Sequence, residues 1–217
     1  MRYPDATDTE GSPALMWSGS VVGPKVPPGK YAVELFVGKE KMGKENFEIQ
    51  KDPRVENPTT DIAQSVQFQL RVRDKLTETH QAINDLRTIR KQVNDYLGSV
   101  TDTVFKKDVE KLSKPMLESM QLVEDELIQH KAKAFQDLLA HPIKLNDKLA
   151  GLASNASAAD AKPTQQVNEA YEDISKAIDF QVQKLRKIIA EDVPKFNAKA
   201  ESLKTSVIKL KETVIKP

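Results

Sequence analysis

The residues best suited to chemistry are three histidines, His80, His130 and His141. Imidazole is the common proton shuttle and metal ligand near neutral pH. A carboxylate-bridged metal site in a helical bundle needs Glu-x-x-His on two helices and a glutamate from each of two others. Here Glu126 precedes His130 by four positions and Glu78 precedes His80 by two, so neither spacing fits. The histidines are expected at surfaces or helix ends. Glu124-Asp125-Glu126 offers carboxylates of the kind that cleave glycosides. Consecutive helical residues point in different directions and cannot flank one bond, so a solvated face is expected. Asp5 and Asp8 near Trp17 could grip a sugar, but Trp17 is better placed as a core residue of a small sandwich.

Arg71, Arg73, Arg87, Arg90 and Lys91 could form a basic strip, yet Asp74, Glu78, Asp85 and Asp95 are interspersed with them. Ion pairing along a helix surface accounts for that pattern. Met116 and Met120 lie one turn apart and read as core. Gly38 to Gly43 lacks the Lys-Ser/Thr of a phosphate loop and reads as a hairpin, and no nucleophile elbow or dinucleotide fingerprint occurs. No catalytic, cofactor-binding or metal-ligating residue is therefore assigned, and the chain is not expected to be an enzyme.

Composition agrees with a solvent-washed helical protein. Of 217 residues 30% are charged and only 6% aromatic. Thirty-three basic and 32 acidic residues leave a net charge of +1, without the basic excess that gripping nucleic acid or anionic lipid requires. The absence of cysteine excludes disulfides and thiolate chemistry. No apolar run approaches the ~20 residues of a membrane span, so no membrane insertion is expected.

Three stretches organise the chain. Residues 1–52 are rich in glycine and proline, and Tyr31, Val33, Leu35 and Val37 alternate as in a half-buried strand. Gly38 to Lys41 reads as a hairpin loop, Met42 to Gln50 as the return strand with Phe47 and Ile49 inward, and Ala14 to Val22 as a weaker third strand. So small a β unit must lean on the helices or on further strands. Residues 53–58 form a linker bounded by Pro53 and Pro58.

Residues 59–217 read as a long antiparallel helical bundle. The first helix, capped by Thr59, Thr60 or Asp61, runs to a Gly98 C-cap with Ile62, Val66, Leu70, Leu76, Ile83, Leu86, Val93 and Leu97 on one stripe. Thr101 or Asp102 caps a second, carrying Val104, Phe105, Val109, Leu112, Met116, Met120, Val123, Leu127 and Ile128, with Pro115 as a kink or break. A short helix from Ile143 to Leu152 precedes an Ala/Ser-rich loop, Ser154 to Lys162. Pro163 opens the last helical stretch, whose apolar positions run from Val167 through Ile189 and, after Pro194, from Phe196 to Leu210, as one bent helix or two. The fold class is thus mainly α, with a small N-terminal antiparallel β segment.

Leu15-Met-Trp-Ser-Gly19, Pro27-Pro-Gly-Lys-Tyr31, Lys51-Asp-Pro-Arg54, His141 to Leu149, Lys162-Pro-Thr164 and Val193-Pro-Lys-Phe-Asn197 follow one another in an order that resembles a known context. It is similar to the C-terminal region of bacterial BNR-repeat, sortilin-like β-propeller proteins, often labelled glycosyl hydrolases. The resemblance implies an upstream propeller as partner, then an immunoglobulin-like sandwich of which residues 1–52 are a part, then the helices. It also implies that this chain is a piece of a longer, extracytoplasmic protein. Leu138-Leu-Ala140 departs from the polar residues expected before His-Pro.

The expected function is a non-catalytic structural and interaction module, bracing or dimerising a larger protein through its helices. The alternative is an accessory fragment of an extracellular glycosyl hydrolase whose catalytic part lies elsewhere. Turnover of a glycan by this chain alone, lost on Trp17→Ala, would favour the alternative. An amphipathic helix lying on lipid is disfavoured by the balanced polar faces.

Overall fold

A computed structural model describes residues 1–10, 15, 19–132, 134, 137 and 140–202. Helix makes up 62% of it, in four helices preceded by one antiparallel hairpin. Strand β1 spans Gly29–Val37 and β2 spans Glu40–Ile49. The helices are α1 (Thr59–Ser99), α2 (Thr103–Leu127), α3 (Leu145–Ser157) and α4 (Gln165–Glu201).

The packing reduces to three rods. Phe68 meets Tyr171, Lys75 bonds Asp179, Glu78 bonds Arg186 and Tyr96 bonds the Ala200 carbonyl, so α1 and α4 run parallel. On α3, Asn146 faces His80 and Ala156 bonds Ser65, so α3 runs antiparallel to α1. On α2, Asp108 pairs with Lys199, while Ser119 and Val123 share a groove with Gln181 and Ile188, so α2 runs antiparallel to α4. Helix α2, which ends at Leu127, and α3, which begins at Leu145, together form the descending rod. An up-down-up path places its first and third rods parallel, which refines the expected antiparallel bundle.

One apolar core runs the length of the rods. It includes Leu76, Ile83, Leu86 and Ile89 of α1, Met116 and Met120 of α2, Leu149 of α3, and Ile178, Leu185 and Phe196 of α4. Helix α1 touches all three other helices, which explains why Phe68, Val72 and Ile89 are buried although they lie off the stripe read from the sequence. Leu70 and Leu97 of that stripe are only half-buried, and Val104 and Leu112 of α2 are exposed, because they face away from the seam between rods. Pro115 and Pro194 both sit inside continuous helices, so the last stretch is one helix as far as it is described. Leu203, Val207 and Leu210 lie outside the described residues.

Helix ends correct several sequence expectations. The α1 cap position is Pro58, extended at φ −65° and ψ 151°, whose ring has no acceptor to offer, so no side chain caps the helix and Thr59 to Asp61 lie within it. Gly98 lies inside α1, and the Val100 amide closes the last turn onto the Tyr96 carbonyl. Pro163 precedes the cap Thr164, whose hydroxyl accepts from the Val167 amide at 3.3 Å. Helix α3 extends to Ser157, into the expected loop, because Ala156 packs in the core and its carbonyl accepts from the Ser65 hydroxyl at 2.9 Å.

Asp102 caps α2 as expected, accepting from the Val104 amide at 2.9 Å and the Phe105 amide at 3.0 Å. Asp102→Ala is expected to cost about 1 kcal/mol, read as a lower urea midpoint with an unchanged slope. An unchanged midpoint would show that the cap contributes nothing.

The hairpin differs from a half-buried strand pair. The turn is shorter than expected, Gly38-Lys39 alone, with Gly38 at φ +64°, a conformation that favours glycine. Gly19 to Val22 forms no strand, so the expected third strand is missing from its described part; Ala14 and Trp17 lie outside the described residues. No helix packs along either strand. Val33, Leu35 and Val37 are therefore exposed.

Candidate functional site

Residues 2–10 form an extended strap along α1. Side chains spaced by steps of four, three, four and three along one face of α1 bond its main chain. Arg73 Nη1 donates to the Pro4 carbonyl at 3.3 Å. The Thr7 amide donates to Thr77 Oγ1 at 3.2 Å, and the Thr7 carbonyl lies 2.6 Å from His80 Nδ1. Asn84 accepts from the Glu10 amide at 2.9 Å and donates to the Asp8 carbonyl at 3.0 Å, and Arg87 donates to the Glu10 carbonyl.

The strap's other edge is bonded to residues 21–24. The Ala6 amide donates to the Val21 carbonyl at 2.7 Å and the Tyr3 amide to the Pro24 carbonyl at 2.9 Å. The approach is so close that a Cβ at Gly23 would lie 2.0 Å from the Tyr3 carbonyl oxygen. Asp5 and Asp8 serve this architecture: Asp5 accepts from the Gly23 amide, and Asp8 from the Thr9 amide.

His80 corrects the expectation that the histidines lie at surfaces or helix ends: it is mid-helix and 0% exposed. With Nδ1 against a carbonyl, that nitrogen carries the hydrogen. Nε2 then accepts from the Asn146 amide at 3.3 Å. Burial lowers the His80 pKa from its ordinary 6.5, and Arg87 adds to this, while the Thr7 bond and Asp8 oppose it.

Glu124 overturns the solvated-face reading. Its side chain is 3% exposed and bridges two guanidiniums, Arg87 Nε at 2.7 Å and Arg90 Nη1 at 2.6 Å. Asp125 bonds Gln121 and lies 3.2 Å from His130, and Glu126 points to solvent. Burial of Glu124 follows from where α2 crosses α1, which its three-acid run does not reveal. The two arginines, Lys91 and His130 border an open cleft of about 540 Å³, but Glu10 and Asp95 line it too. His130 and His141 share a smaller cleft of about 390 Å³ with Asp125 and Glu126. Among the described residues no three such groups converge closely enough to hold a metal ion.

The remaining expected ion pairs are on the surface: Arg73 with Asp74, Lys91 with Asp95, and Glu78 with Lys75 and Arg186. Asp85 has no ion-pair partner among the described residues, and burial raises its pKa. Arg71 stacks on the rings of Phe68 and Tyr171. Met116 and Met120 are core residues.

The hairpin carries five of the exposed large hydrophobic side chains: Val33, Leu35, Phe36, Val37 and Met42. Tyr31 pairs with Phe47, Val33 with Glu45 and Leu35 with Gly43. Strand alternation therefore places Tyr31, Val33, Leu35, Phe47 and Ile49 on one face together with Glu45, and Lys30, Ala32, Glu34, Lys44, Asn46 and Glu48 on the other. Beyond a bulge at Leu35/Phe36, Phe36, Val37 and Met42 are exposed as well. No third strand extends either edge among the described residues. At its foot, a cleft of about 640 Å³ opens between Ile49, Val22 and Val26 on one side and Ile62, Val66 and Ala153 on the other.

No protein-family model, curated protein or solved structure matches this chain. No described helix is long and apolar enough to cross a membrane. The strap-reading residues Arg73, Thr77, His80, Asn84 and Arg87 form a second, polar heptad stripe on α1, a signal that apolar recurrence does not carry.

Proposed function

We propose that this chain is a non-catalytic structural and interaction module, the C-terminal part of a larger, exported BNR-repeat propeller protein. The observation that carries the reading is the bare hairpin. A two-stranded ribbon is marginally stable alone in water, and this one leaves Val33, Leu35, Phe36, Val37 and Met42 exposed and, among the described residues, both edges unpaired. Further strands of a sandwich, continuous with the propeller, would extend those edges and cover Val33 and Leu35. The order of the Pro-Pro-Gly-Lys-Tyr and Lys-Asp-Pro-Arg segments, which bracket the hairpin, supports the same context. The three-rod bundle then serves as a brace about 60 Å long, from the 41 residues of α1 at ~1.5 Å each.

The test is binding of the full chain to a bacterial BNR-repeat propeller with its sandwich strands, expressed without its own C-terminal region. A one-to-one complex by light scattering is expected, lost in a Val33→Lys, Leu35→Lys double variant that keeps its helical circular dichroism. Failure to associate, or association indifferent to those substitutions, counts against the proposal. Exposed Leu122 of α2 and Phe180 of α4 are where a second copy would add through the helices. A mass that rises with concentration in the same measurement would support that part.

A further inference from the structure

We propose that residues 2–10 are an acid-released latch on α1, with His80 as the titrating pin. The latch stands on geometry: five side chains of one helix face grip six main-chain groups of the strap, and His80 is the middle one. Arg73 and Arg87 stay charged and Thr77 and Asn84 stay neutral throughout the physiological range, so among the five only His80 changes charge there.

In the latched state both imidazole nitrogens are committed. Nδ1–H donates to the Thr7 carbonyl, and Nε2 accepts from an Asn146 N–H. A proton added at Nε2 would require the Asn146 amide to turn its oxygen to the ring and would leave a cation in a site without solvent exposure. The charged groups facing His80 are Asp8 of the strap, which favours the cation, and Arg87 of α1, which opposes it. From α3 the contact is the neutral Asn146 amide, followed in sequence by buried Asp147. Burial outweighs the rest and holds the latched imidazole neutral.

The sign of the effect follows. Above the ordinary imidazole value of 6.5 both latched and released states are neutral, and the latch keeps its full stability. As pH falls below that value, the released, solvated imidazole takes up a proton that the latched one refuses. The released population then grows about tenfold for each further pH unit, until the latched imidazole also titrates. Release frees an extended segment and uncovers a row of side chains that read main chain, independently of sequence.

The test is amide hydrogen exchange on the full chain from about pH 7 to about pH 5, corrected for intrinsic rates, with the His80 ring followed by NMR. Thr7 and Glu10 amides are expected to lose protection about tenfold per unit below the ordinary imidazole range while the core amides of Ile83 and Leu86 keep theirs. In His80→Gln that dependence should vanish. In Asn146→Asp, a carboxylate faces Nε2, the imidazolium is satisfied, and release should move to lower pH. A strap that stays protected across the range overturns the proposal. So does an equal loss in His80→Gln, which would assign the effect to Asp5 or Asp8. Should His80→Gln not fold, an Asn146→Asp profile identical to wild type overturns it equally.

Discussion

Phe68→Ala is expected to lower the stability of the chain by about 4 kcal/mol, the usual range for emptying a buried aromatic site. Phe68 is 2% exposed and stands edge-on to Tyr171, with ring centroids 5.7 Å apart. The Arg71 guanidinium lies 5.4 Å from the Phe68 centroid and 4.9 Å from that of Tyr171. Removing the ring leaves a void between α1 and α4 and takes one wall from the arginine's seat. For a chain of this size the thermal midpoint should fall by roughly 10 °C, read by circular dichroism. Tyr171 is only half-buried and can swing, so partial collapse of the void sets the lower end of the effect. A loss below about 1 kcal/mol would mean that α4 does not dock along the N-terminal half of α1.

Glu124→Gln tests the second strong commitment. The substitution keeps volume and one acceptor but removes the carboxylate charge that pairs with both Arg87 and Arg90. Breaking a buried ion pair from one side costs about 3–5 kcal/mol when the remaining charge is buried. Here the arginine side chains are 20% and 26% exposed, so water relieves part of the loss and about 2–3 kcal/mol is expected. Because the carboxylate is buried, raising salt should weaken the wild type little, unlike a surface pair. Pairing Glu124→Gln with Arg90→Gln should cost less than the sum of the two single changes, since they share one network. Additive losses would show that the bridge is not formed. Arg87 also donates to the Glu10 carbonyl, so Glu124→Gln should loosen the end of the strap.

The helices were largely legible in advance because their signals are local. Recurrence of Ile62, Val66, Leu76, Ile83, Leu86 and Val93 places α1, and Asp102 starts α2. The misreadings share a cause. Gly98 reads as a C-cap but is carried inside α1, and where the sequence leaves open a kink or a break at Pro115, and one helix or two around Pro194, the structure has continuous helices. The Ala/Ser stretch was taken as a loop, but Ala156 finds a neighbour 91 positions earlier in Ser65. Local propensity cannot report a partner so distant in sequence.

The same division holds for the candidate sites. Glu124 and His80 look like ordinary polar members of charged helices. What the residues cannot state is burial. Glu124 is enclosed because α2 crosses α1 near Arg87 and Arg90, and His80 because the strap and α3 close over it from two sides.

Residue order by itself determined that amphipathic rods would form after Pro58, that a glycine-turned hairpin would precede them, and that thiol chemistry was excluded. These follow from side-chain periodicity, backbone sterics and composition, all of which act within a few residues. Tertiary structure alone decided that the rods run up, down and up, that a polar face of α1 is spent on the main chain of residues 4–10, and that Val33, Leu35 and Val37 of the hairpin stay exposed. Each depends on which surfaces meet across tens of residues, and the free energy of such meetings belongs to the pair of surfaces, not to either segment.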